Sequence, residues 1–133
     1  MPTEMLSQYQ HGYDGVLEEL TLRLHPDESK LKAHVVMRVV RAIEGVEQWF
    51  RVRVQFSDVE KVQLADAWLR GGGAVLYDGA KLDWDVATRR ASLNLDPGVA
   101  WAVGQPEKPE LESSAFLSGV CEVAVEPMAS LNR

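Results

Sequence analysis

Residues 31–56, LKAHVVMRVVRAIEGVEQWFRVRVQF, decide the fold. Leu31, Ala33, Val35, Met37 and Val39 occupy one side of an extended chain, and Lys32, His34, Val36, Arg38 and Val40 the other. Further on, Phe50, Val52, Val54 and Phe56 alternate with Trp49, Arg51, Arg53 and Gln55. A period of two marks a strand with one buried face. Taking Glu44-Gly45 as a two-residue turn sets Val39 opposite Phe50, Met37 opposite Val52, Val35 opposite Val54 and Ala33 opposite Phe56. Every apolar side chain then meets another. Slipping one strand by a residue would turn its apolar set to the wrong face, so the agreement fixes the register.

The pattern extends towards the N-terminus. Leu20, Leu22 and Leu24 alternate with Glu19, Thr21 and Arg23, and the turn His25-Pro26-Asp27-Glu28-Ser29 brings them opposite Val35, Ala33 and Leu31. Residues 16–56 therefore read as a three-stranded antiparallel meander. Beyond it, Ser57 and Glu60 have the spacing of a helix capping box, and Val59, Val62, Ala65 and Trp68 or Leu69 recur at near-helical intervals. A strand carrying Val62 and Leu64 is the competing reading. Asp78-Gly79 is a hairpin signal that would set Val75 against Leu82 and Tyr77 against Ala80. A return near Thr88 would then bring Trp84 to Leu93 and Leu82 to Leu95. Asp96-Pro97-Gly98 is a further turn, residues 104–114 read as an exposed loop, and Cys121, Val123 and Val125 mark a last strand before a tail from 127 to 133. Residues 1–14 form an N-terminal segment. The expectation is a single mainly β domain over 1–133, an antiparallel meander forming a sandwich or a partly open barrel of six to eight strands, with at most one or two short helices.

Composition narrows the function classes. The chain has 133 residues and a formal net charge of −6, which disfavours nonspecific binding to nucleic acid or anionic lipid. Its single cysteine excludes an intrachain disulfide and suits a reducing compartment. With neither a signal-peptide pattern nor a membrane-length apolar run, a cytoplasmic location is expected.

The outward face of the meander holds the main candidate site. The register sets Arg38 directly opposite Arg51, with Arg53, Lys32, His34, Val40 and Trp49 on the same face. Directly opposed like charges are unfavourable. A neighbouring carboxylate such as Glu19, a bound anion or an acidic partner surface must compensate. Trp and Arg are also enriched among residues that dominate binding energy at interfaces. Arg38, Trp49, Arg51 and Arg53 are accordingly the candidate contact residues.

Other clusters have simpler readings. His11 and Asp14 have the chemistry of an acid–base pair or of two metal ligands, but the other ligands of a metal site are missing, and both residues suit a turn. Asp78, Asp83 and Asp85 are accounted for by a turn and by the polar side of a strand. Gly71-Gly72-Gly73 lacks the Lys-Ser/Thr of a phosphate-binding loop. Cys121 falls on an apolar strand face. No catalytic set and no cofactor are assigned.

His11-Gly12-Tyr13-Asp14-Gly15-Val16-Leu17 with Leu20-Thr21-Leu22, then Phe56-Ser57-Asp58-Val59, then Cys121-Glu122-Val123-Ala124-Val125, resembles a pattern in small bacterial β-rich proteins of unknown function. Some of these families are regarded as immunity proteins of toxin systems. The resemblance implies a non-enzymatic bacterial β protein with a protein partner, and it transfers no catalytic residue.

Three functions are consistent with these features. The first is a protein-interaction module, inhibitor-like, that meets an acidic partner or forms a homodimer. The second is a small-ligand-binding barrel lined by residues such as Trp84 and Tyr77. The third is a hydrolase-like enzyme using His11 and Asp14.

Overall fold

A computed structural model of the chain describes residues 3–25, 29–65, 68, 74–76, 79–98, 101, 104–107 and 113–128. Among these lie eight strands: β1 Thr3–Glu4, β2 Gly15–His25, β3 Lys30–Ile43, β4 Val46–Leu64, β5 Ala74–Leu76, β6 Lys81–Asp85, β7 Arg90–Asn94 and β8 Ala115–Pro127. They form one antiparallel sheet in the order β1-β6-β7-β8-β4-β3-β2-β5. The sheet is open and curled into a half-barrel, so the architecture is the partly open barrel rather than a sandwich of two sheets.

The meander of β2, β3 and β4 has the register read from the sequence: Val39 pairs with Phe50, Val35 with Val54, Leu24 with Leu31 and Leu20 with Val35. Glu44 and Gly45 both have positive φ, 53° and 79°, as the tight hairpin turn requires. The inward residues Val35, Met37, Val39, Val52, Val54 and Phe56 are fully buried.

Residues 57–64 are strand, not helix. β4 continues to Leu64 and pairs with β8 throughout. Register shifts between Phe56 and Asp58 and between Val59 and Lys61 each insert a residue. Phe56, Val59 and Val62 therefore recur every three residues, a spacing that mimics a helix. Ser57 caps no helix; its hydroxyl donates to the Val120 carbonyl of β8. Opposite the first shift, the β8 backbone comes so close that a Cβ on Gly119 would lie 2.0 Å from the Asp58 carbonyl oxygen.

The hairpin expected around Asp78-Gly79 does not form. β5 pairs with β2, setting Val75 against Val16, while β6 pairs with β1 and β7. The Gly79 N–H closes a turn on the Leu76 carbonyl, at 3.1 Å, but the chain then crosses instead of returning. Asp78 and Tyr77 lie outside the described residues. The β6–β7 register is also two residues from the expected one, with Trp84 opposite Ala91 and Leu82 opposite Leu93.

β5 and β6 stand at opposite ends of the strand order, yet only residues 77–80 separate them. Five Cα steps span at most about 19 Å, so the two sheet ends curl towards each other. Residues 5–14 cross the same gap between β1 and β2 and include an irregular 3₁₀ turn over Ser7–Gly12. The crossings touch: the Ala80 N–H donates to the His11 carbonyl at 2.8 Å, and the Asp14 N–H to the Leu76 carbonyl at 3.2 Å. Gly79, at φ +83°, passes so close that a Cβ there would sit 2.5 Å from the His11 carbonyl oxygen. Leu6 enters the core, and the Tyr9 ring meets Phe50 edge-on at 5.1 Å. The N-terminal segment is thus part of the fold.

The stretch 104–114 is only partly an exposed loop. Gly104, Gln105 and Pro106 are exposed, but Glu107 is half-buried and Ser113 is buried. Asn94, 2 % exposed, donates to the Glu107 carboxylate at 2.8 Å and accepts from the Ser113 hydroxyl at 2.7 Å. Glu107 also pairs with Lys81 at 2.9 Å. A buried amide needs such partners. At the other end of β8, Pro127 belongs to the strand and the Met128 N–H donates to the Trp49 carbonyl.

Candidate functional site

The outer face of β3 and β4 carries the arginines. Arg38 lies directly opposite Arg51, Val36 opposite Arg53 and Val40 opposite Trp49. Val36 and Val40 point away from the interior yet are only 4 % and 3 % exposed. Long side chains flanking a strand can lay their stems along it and bury it in this way.

The carboxylate between the opposed arginines comes from Glu18, not Glu19. The β2–β3 register shifts between Leu17 and Glu19, leaving Glu18 as the extra residue of a bulge. Its Oε2 lies 3.1 Å from Arg38 Nε, and its Oε1 accepts from Arg51 Nε at 2.9 Å. The hydrogen bond and charge of Glu18 raise the Arg51 pKa, holding the guanidinium firmly ionised. Arg53 pairs with Glu126 of β8 at 3.1 Å. Three guanidinium groups thus share two carboxylates, next to the half-buried Trp49 ring.

Glu19 serves another group. Its Oε2 lies 3.0 Å from His34 Nδ1 and accepts from the Thr21 hydroxyl at 3.2 Å. This ladder borders a cleft of about 360 Å³ lined by Glu19, Thr21, Arg23, Lys32, His34 and Gln55. Sequence reading placed His34 outward but missed the cleft, because the departure of β4 from β3 is hidden by the bulge after Phe56.

His11 and Asp14 do not converge. His11 Nδ1 faces Glu4 Oε1 at 3.6 Å, and the His11 ring meets Trp101 edge-on at 5.3 Å. Asp14 is exposed, with φ 63°, in the turn leading to β2. Both residues belong to the connection between β1 and β2. Asp83 pairs with Lys81 at 3.0 Å, and Asp85 accepts the Ala87 N–H at 3.1 Å. Among the described residues, no group of three or more His, Cys, Asp or Glu side chains is placed to hold a metal ion.

The described interior is lined by Leu6, Val35, Met37, Val54, Phe56, Leu82, Leu93 and Leu117, all with 0 % exposure, and Tyr77, one of the two residues read as lining a ligand cavity, lies outside the described residues. Trp84 packs against this core, and its indole N–H has no partner among the described residues. Cys121 is buried, and burial pushes its thiol pKa up to about 11. Among the described residues, no helix is long and apolar enough to cross a membrane. No family model, curated protein or solved structure matches the chain.

Proposed function

We propose that this chain is a non-enzymatic protein-binding module of the inhibitor or immunity kind, whose contact face is Arg38, Trp49, Arg51 and Arg53. One observation carries the reading: two directly opposed arginines divide a single carboxylate, Glu18, on the outer face of a protein whose net charge is −6. Positive charge concentrated beside a half-buried tryptophan suits an acidic protein surface. The bacterial origin and cytoplasmic location that go with this reading rest on the motif resemblance and on the single cysteine.

The test is an affinity series against a partner isolated with the wild-type chain. Arg51→Glu should weaken binding by tenfold or more, and added salt should weaken wild-type binding. A partner that binds the Arg51→Glu variant as tightly as wild type removes this face from the interface.

A further inference from the structure

We propose that the open edge of β2 is a dimer interface, pairing antiparallel with the same edge of a second copy of the chain. It goes beyond the proposed contact with an acidic protein and uses none of that contact's residues.

β2 has one covered edge and one that is covered only in part. On one side it pairs with β3 from Val16 to His25. On the other, β5 pairs only with Gly15, Val16 and Leu17. From Glu18 onward, no strand among the described residues pairs with that edge. Thr21, Leu22, Arg23 and Leu24 are all exposed, whereas a half-buried strand exposes only alternate residues. Leu22 and Leu24 belong to the inner face, opposite Ala33 and Leu31, yet they are 37 % and 66 % exposed. An apolar edge of this kind is a template for pairing with another chain. Residues 19–24, ELTLRL, hold neither the proline nor the lysine nor the inward charge that usually blunts one.

The edge is self-complementary in one register. A twofold axis through Thr21, perpendicular to the sheet, sets Leu20 opposite the second copy's Leu22 on the inner face. On the outer face it sets Glu19 opposite the second copy's Arg23. The symmetry makes each contact twice. Opposite charges directly across an antiparallel pair attract. Centring the axis on Leu20 or Leu22 instead sets Thr21 against one of these charges and forms no Glu–Arg pair. Charge complementarity therefore selects a second copy as the occupant and Thr21 as the axis.

Both charges are in position for this pairing. Glu19 meets His34 and Thr21 through Oε2, which leaves Oε1 to accept from another donor. Arg23 is exposed and has no ion-pair partner among the described residues.

The test is sedimentation velocity on the full chain over a range of concentrations, with circular dichroism and thermal unfolding of each variant to verify its fold. Wild type should pass from monomer to dimer as concentration rises. Leu22→Lys places a charge at an exposed position of the edge and should keep the chain monomeric. Glu19→Arg and Arg23→Glu each set like charges opposite one another, and each should weaken self-association by about tenfold or more. Mixed in equal amounts, these two variants should form a heterodimer, because every outer-face pair across the axis is again one acid and one base. A wild type that stays monomeric would leave the edge to a strand of another protein and overturn the proposal. So would a dimer that Leu22→Lys and Arg23→Glu both leave intact, or two folded single variants that do not associate when mixed.

Discussion

Arg38 on β3 and Arg51 on β4 face each other directly across the strand pair, and one carboxylate, Glu18, serves both. Replacing that carboxylate by its neutral isostere leaves two guanidinium groups opposed. Glu18→Gln should lower the thermal midpoint by a few degrees at low salt, and the deficit should shrink as salt screens the repulsion. Adding Arg51→Gln should restore part of the loss. If the double variant is no more stable than the single one, Glu18 does not act through the arginine pair.

Gly119 admits no side chain while β4 and β8 keep their present register. A Cβ there would lie 2.0 Å from the Asp58 carbonyl oxygen, and both contacting groups are backbone. Gly119→Ala should cost about 3 kcal/mol in chemical denaturation. A variant as stable as wild type would show that the two strands meet differently at this bulge.

Burial sets a contrast within β4. Phe56 is fully buried in the half-barrel, whereas Val62 is 41 % exposed. Phe56→Ala should destabilise by about 3–5 kcal/mol. Val62→Ala should stay within about 0.5 kcal/mol, the range of an ordinary surface substitution. Equal losses at the two sites would contradict the placement of β4.

Cys121 should behave as a protected thiol. Burial is the largest cause of its raised pKa, followed by the neighbouring Glu122 charge, and the folded value is about 11 against an ordinary 9.0. A thiol reagent at pH 8 then meets a thiolate fraction of about one in a thousand, so modification should wait for unfolding. The folded state holds this proton more tightly than the unfolded one. The associated stability is complete below pH 9 and is lost as pH rises through about 11. Rapid labelling of the native protein at pH 8 would show that the thiol is accessible.

The meander was legible because its apolar residues keep a period of two and because Glu44-Gly45 fixes the register by local turn geometry. Legibility ended at the bulges. The extra residue at Glu18 turned a neighbouring carboxylate onto the arginines, so a strict alternation named Glu19 instead. Two more insertions in β4 spaced Phe56, Val59 and Val62 by three, which a periodicity argument reads as a helix turn. The Asp78-Gly79 signal failed for another reason. Its local preference for a hairpin lost to pairing between β5 and β2, strands some 60 residues apart, and no local pattern records such a partner. The arginine face was thus visible in the sequence, while the cleft beside it was not, since it depends on where β4 leaves β3.

The two crossings at the gap between the sheet's ends also bear on how the chain reaches this shape. The β2–β4 hairpins close through short turns and can assemble early. The link between residues 5–14 and residues 77–80 encloses some 60 residues of intervening chain and can form only after the sheet has curled. Gly79 and His11 therefore form a latch whose sequence separation places its closure after that of the local hairpins. When it opens, β1 and β5 detach and leave the edges of β6 and β2 without partners. That exposes the molecule to edge-to-edge aggregation.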